Sequence, residues 1–231
     1  MSDARMPAVL RRAVAWDLAA VRPLRSPWVR ALAVAPVSAL TVMFLLIRFG
    51  VRADLPFLGL AAWGFSSVEA AVGWALVAMA LGEAVPGRQL RLRTIALVFV
   101  LAGTVVVIWT METVRVSPTL PSTGQATLVA WHCFGWSALT GMPALTMTVA
   151  LVARTFAVRP TLAGMLSGTG VGMLADSGWR LFCGVSEPCH VLGAHGGAIL
   201  ALSATGACAC SAIDRVRASR THSWWNHVLR C

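Results

Sequence analysis

Cys183, Glu187, Cys189, His190 and His195 crowd into the stretch Phe182–His195, FCGVSEPCHVLGAH, and His132-Cys133 adds an imidazole and a thiol from Trp131-His132-Cys133. Thiolate and imidazole together bind soft or borderline metals such as zinc and copper. Two of the cysteines can instead pair, or exchange partners, and so register oxidation. Three thiols leave one unpaired, which suits sensing better than bracing. A third use is structural: a disulfide tying a loop to a helix, or polar residues at a wet interface. Spacing does not choose among these. Cys183 to Cys189 is Cys-x5-Cys, not Cys-x2-Cys. His190 and His195 are five apart and would point about 140° from each other on a regular α-helix. The candidate metal set is His132, Cys133, Cys183, Cys189 and His190. The candidate sensing thiols are Cys133, Cys183 and Cys189.

The elements that position these residues are apolar. The chain is 58% hydrophobic and 12% charged, with mean hydropathy +0.74, about half the charge of an ordinary soluble domain. The apolar residues fall in blocks long enough to cross a bilayer as helices. They predict an all-α, six-span transmembrane bundle with spans near 31–47, 57–82, 94–110, 132–153, 161–182 and 190–212. Residues 1–30 form an N-terminal head, 31–212 the membrane domain and 213–231 a basic tail. The first block has no small-residue cleavage site in the right place, so it reads as an anchor, not a signal peptide.

A net charge of +10 invites a nucleic-acid reading, but the arginines are sorted by side. Arg5, Arg11, Arg12, Arg22, Arg25, Arg30, Arg88, Arg91, Arg93, Arg154, Arg159, Arg215, Arg217, Arg220 and Arg230 share one side of a six-span chain. Arg48, Arg52 and Arg115 take the other, with Arg180 near a span end. The positive-inside rule then puts both termini in the cytoplasm and predicts no direct contact with nucleic acid. Cys133, Cys183 and Cys189 face the periplasm of a bacterial inner membrane, an oxidising compartment.

Intramembrane acids are costly and face the bundle interior. Glu69 sits mid-span, and Asp176 lies four residues before Arg180, the spacing of an ion pair along one helix face. Gly164, Gly168 and Gly172 form a GxxxGxxxG stripe for close helix approach, within the bundle or in a homodimer, with Gly193, Gly196 and Gly197 as the opposing surface. Cys208 and Cys210 read as small core residues.

In the head, Leu10, Val14, Leu18 and Val21 recur at helical spacing before Pro23. Such a helix lies on the inner leaflet or docks in a groove of a cytoplasmic partner. The tail's Trp224-Trp225 suggests interfacial anchoring.

Four features resemble the NrsF-like multi-pass membrane anti-sigma factors, the group that includes CarR. They are the N-terminal DLAAVRPLRSPWVRAL, the Pro86-Gly87-Arg88 turn, GMPALTMTVALVAR leading into VRPTLAGMLSGTGVG, and CGVSEPCHVLGAHGG. The resemblance implies a non-enzymatic regulator. Its cytoplasmic head, through Leu10, Val14, Asp17, Leu18, Val21 and Arg22, would bind an ECF-type sigma factor and hold it away from RNA polymerase. A stress signal (metal, oxidant or light-generated singlet oxygen) would release it. Cys133 and Cys183 would be the sensing thiols, with no cofactor beyond a metal ion at the periplasmic face. Two other classes stay open: a membrane thiol oxidoreductase, which would lack a Cys-x2-Cys, and a small transporter relying on Glu69 or Asp176.

Overall fold

The computed structural model describes residues 24–53, 55–116, 126–155, 157–185 and 187–228. Among them there are helices and no strands. The elements are α1 (Pro27–Leu32), α2 (Ala35–Phe49), α3 (Leu55–Glu83), α4 (Leu92–Val116), α5 (Ala126–Ala153), α6 (Pro160–Trp179), α7 (Pro188–His190), a π-helical turn (Val191–Gly196) and α8 (Gly197–Val228).

Local chemistry sets the ends. Ser26 Oγ accepts from the Val29 N–H while Pro27 occupies the first turn of α1, a position that needs no amide donor. At Pro86-Gly87-Arg88 the Arg88 N–H donates to the Val85 carbonyl at 3.2 Å and Gly87 has φ +82°. Proline followed by a positive-φ glycine is the type II turn pattern. It reverses the chain between α3 and α4.

Among the described residues, five helical stretches are long and apolar enough to cross a membrane: Pro27–Phe49, Ala62–Glu83, Leu92–Arg115, Leu128–Ala153 and Pro188–Ser219. Helix α6 is as long as a span, since its 20 residues rise about 30 Å, but it is rich in Gly, Ser and Thr. Its place in the bundle explains why. It packs against α8, α3 and α5, and nearly every residue from Ala163 to Trp179 is buried. A helix surrounded by helices needs no lipid-facing apolar surface.

The bundle is inverted relative to a water-soluble protein. Leu40, Ile47, Leu128 and Leu200 are 71–80% exposed, whereas Glu69, Glu83, Asp176 and His195 are at most 1% exposed. Several hydroxyls are satisfied within their own helices: Thr41, Thr110, Thr113 and Thr148 each donate to the carbonyl four residues back. Both features suit a hydrocarbon surrounding that offers no partner to a polar group. The chain is a multi-pass membrane protein.

The glycine stripe of α6 is used within the chain. A Cβ at Gly168 would collide with the backbone of Leu202 and Ser203, and one at Gly164 with Gly206 and Ala207. The opposing surface is therefore Ile199–Ala207 of α8; Gly193 and Gly196 have open space where a Cβ would stand. Cys210 is buried, but Cys208 faces outward. Substituting Gly168 by Ala should push α6 off α8, and overpacking of this kind costs about 1–3 kcal/mol. Thermal unfolding of the detergent-solubilised chain reads this directly, with Gly103→Ala, which meets open space, as the silent control.

The arginine-rich end is bolted by its own polar bonds. Arg30 is 8% exposed and donates to the Leu81 carbonyl at 3.5 Å and the Leu151 carbonyl at 2.7 Å. It thereby ties the start of the first span to the C-terminal ends of α3 and α5, where free carbonyls attract a cation. Glu83 pairs with Arg159 and accepts from the Leu90 N–H at 2.8 Å, which fastens the α3–α4 turn to the start of α6.

Candidate thiol and imidazole site

At the opposite end of the bundle, four segments bring their polar side chains together. Cys133 lies near the start of α5, and Cys183 follows α6. His190 ends α7, and His195 sits in the π-helical turn. All four are buried, and one ligand atom from each lies within 4.8 Å of the others. Cys133 Sγ is 3.7 Å from Cys183 Sγ, and Cys183 Sγ is 3.5 Å from His190 Nε2. An apolar shell of Leu45, Trp179, Ala194, Phe134 and Phe182 surrounds them.

The π-helical turn makes this assembly. Its i→i+5 hydrogen bonding widens the turn and brings His195 back over His190, ring centroids 5.6 Å apart. On a regular α-helix the two rings would diverge. The turn is anchored by Glu187, whose carboxylate accepts from the N–H groups of Cys189 at 3.0 Å and His190 at 2.6 Å. Glu187 is thus an N-cap.

Beneath the cluster runs a buried ionic chain. His195 Nδ1 is 2.6 Å from Asp176 Oδ1. Arg180 Nε donates to Asp176 Oδ2 at 2.7 Å and lies 3.4 Å from Glu69 Oε2. The Arg180 guanidinium also reaches Thr110 Oγ1 at 3.4 Å and stands 5.6 Å over the Trp109 ring. The Asp176–Arg180 pair expected from spacing is present. Glu69 joins it from α3, and His195 joins from the other side. Neither addition can be read from spacing, because both cross between helices.

The other sequence-derived site residues lie elsewhere. His132 is exposed and packs against Phe49 and Trp136; it is next to Cys133 in sequence but about 100° around the helix. Cys189 is exposed. The structure therefore gathers Cys133, Cys183 and His190 of the expected set, leaves out His132 and Cys189, and adds His195. The head residues Leu10, Val14, Asp17, Leu18, Val21 and Arg22 lie outside the described residues.

A family model described as negative regulator of sigma F matches residues 14–215. The chain belongs to that family. No curated protein and no solved structure matches it. The match to the negative regulators of sigma F begins inside the head, taking in Val14, Asp17, Leu18, Val21 and Arg22, and runs through the bundle past Cys133, Cys183, His190 and His195. Family membership makes this chain a negative regulator with a sigma factor as its partner.

Proposed function

We propose that the chain holds an ECF-type sigma factor at a bacterial inner membrane through its N-terminal head, and releases it when a stress signal engages the outer-end cluster. It crosses the membrane six times, with α6 as the fifth span, and both termini are cytoplasmic. The distribution of arginine supports this orientation. Arg30, Arg88, Arg91, Arg93, Arg154, Arg159 and Arg217 gather at the end where α3 and α5 terminate, as the positive-inside rule requires of the cytoplasmic face. The cysteine cluster is then periplasmic.

The observation that carries the reading is the family match extending into the head. In the head, Leu10, Val14, Leu18 and Val21 form the apolar stripe that enters a groove of the sigma factor, while Asp17 and Arg22 set polar contacts at its rim. Cys133 and Cys183 are the thiols that register the signal. No step of this function is a chemical conversion of a substrate, and the chain does not touch nucleic acid; it acts by withholding a partner. Affinity purification of the tagged chain from its own membrane, followed by mass spectrometry, tests the reading. An ECF-type sigma factor should co-purify with the full chain. A partner set without any sigma factor would refute sequestration.

A further inference from the structure

We propose that Cys133, Cys183, His190 and His195 form a closed, tetrahedral site for a thiophilic divalent cation of the zinc type, with Asp176 as the outer-sphere partner of His195. The inference deepens the sensing role given to Cys133 and Cys183 by naming what binds there, but it stands on geometry alone.

A tetrahedral centre with sulfur at about 2.3 Å and nitrogen at about 2.1 Å has S···S edges of about 3.8 Å and S···N edges of about 3.6 Å. The observed Cys133–Cys183 edge is 3.7 Å and the Cys183–His190 edge is 3.5 Å. The remaining edges lie within 4.8 Å, so closing them onto one centre takes small side-chain rotations.

The second observation is an orphaned atom. His195 is 1% exposed. Its Nδ1 is engaged by Asp176 at 2.6 Å, yet its Nε2 is buried with no hydrogen-bond partner among the described residues. A buried, unpartnered ring nitrogen is costly. With Nδ1–H donating to the carboxylate, Nε2 carries a lone pair and shares the cluster with the two sulfurs and His190. A carboxylate, a histidine and a metal in line is the usual outer-sphere arrangement of protein zinc sites. Arg180 in turn holds Asp176 at 2.7 Å, so the carboxylate is itself fixed.

Charge and donor type select the cation. Binding releases one proton from each thiol, forms two metal–thiolate and two metal–imidazole bonds, and involves no change of oxidation state. Two thiolates neutralise a divalent ion, which suits a site buried among Leu45, Trp179 and Phe182. Two sulfurs and two imidazoles in a tetrahedron favour zinc over magnesium or calcium. Four protein ligands leave no open position, so the ion ties segments together and does not activate water. It would clamp the start of α5, the chain after α6 and the entry to α8.

The test is a metal titration of the reduced, chelator-stripped full chain in detergent, carried on a tag without histidine. The expected result is one zinc ion per chain, and a cobalt-substituted form with thiolate charge-transfer and tetrahedral ligand-field bands. Cys189→Ser and His132→Ala should keep that ion. His195→Ala and the Cys133→Ser, Cys183→Ser pair should lose it. Asp176→Asn should weaken binding about 10–100-fold. His190→Cys, which swaps one zinc ligand for another, should keep it and so guards against mistaking misfolding for ligand loss. A chain that takes up no zinc, or one whose zinc survives loss of both cysteines, would overturn the proposal. No sigma factor enters the titration, so its failure removes the metal and leaves sequestration to be judged by co-purification.

Discussion

Deleting residues 1–23 is expected to free the sigma factor completely, raising its target transcripts to the level of cells without this chain. The deletion removes Leu10, Val14, Leu18 and Val21 together. Burying such side chains is worth about 1.5 kcal/mol each at the low end, so their joint loss removes roughly 6 kcal/mol, or about 10⁴-fold in Kd. The bundle should survive. Trp28 still packs on Trp74, ring centroids 5.1 Å apart, and Arg30 still donates to Leu81 and Leu151. Loss of repression with the bundle at its normal level in the membrane therefore isolates the head. Truncating Arg22 alone should act more on association rate and salt dependence than on the final affinity. Transcripts that stay repressed in the deletion strain would place the sigma contact elsewhere.

The second large effect is expected at the other end of the bundle. Replacing both Cys133 and Cys183 by Ser should abolish induction: target transcripts stay at their unchallenged level when cells meet zinc, cadmium or an oxidant. A hydroxyl is close in shape to a thiol but neither binds soft metals nor climbs the oxidation ladder. Repression itself should persist, because the ties at the arginine-rich end (Arg30 to α3 and α5, Glu83 to Arg159) do not involve the cluster. Cys189→Ser should remain inducible, since Cys189 is exposed and apart from the buried four. Full induction in the double variant would remove the thiols from sensing.

These two expectations draw differently on what the sequence makes legible. Helical blocks, the Pro86-Gly87 turn and the Asp176–Arg180 pair follow from local rules, and each is present. The long span-like character of α6 is also visible, although Gly, Ser and Thr make it less apolar than its neighbours. Those same residues show why: α6 is enclosed by other helices, and its glycines admit α8 at backbone contact distance. The partner glycine, Gly206, could not be found from spacing, because α6–α8 register depends on the whole bundle.

The site was legible in its residue types and less so in its membership. Periodicity correctly separates His190 from His195 on an α-helix. It fails here because Val191–Gly196 is a π-helical turn, a feature no residue pattern in VLGAHG announces. His132 adjoins Cys133 in sequence, yet adjacent helical residues diverge by about 100°. Glu69 required knowledge of which helices meet around Arg180. For Glu69 the missing information is proximity across helices; for His195 it is a local change of helix type.

The most direct measurement is the partition of the sigma factor between membrane and soluble fractions of the same cells. With the full chain present and no stress, the sigma factor should sediment with the membrane. It should move to the soluble fraction when residues 1–23 are deleted, and when unaltered cells are challenged with the inducing metal or oxidant. A sigma factor that stays soluble beside the full chain, or stays on the membrane after the head is removed, would contradict the claim that this bundle restrains its partner by holding it there.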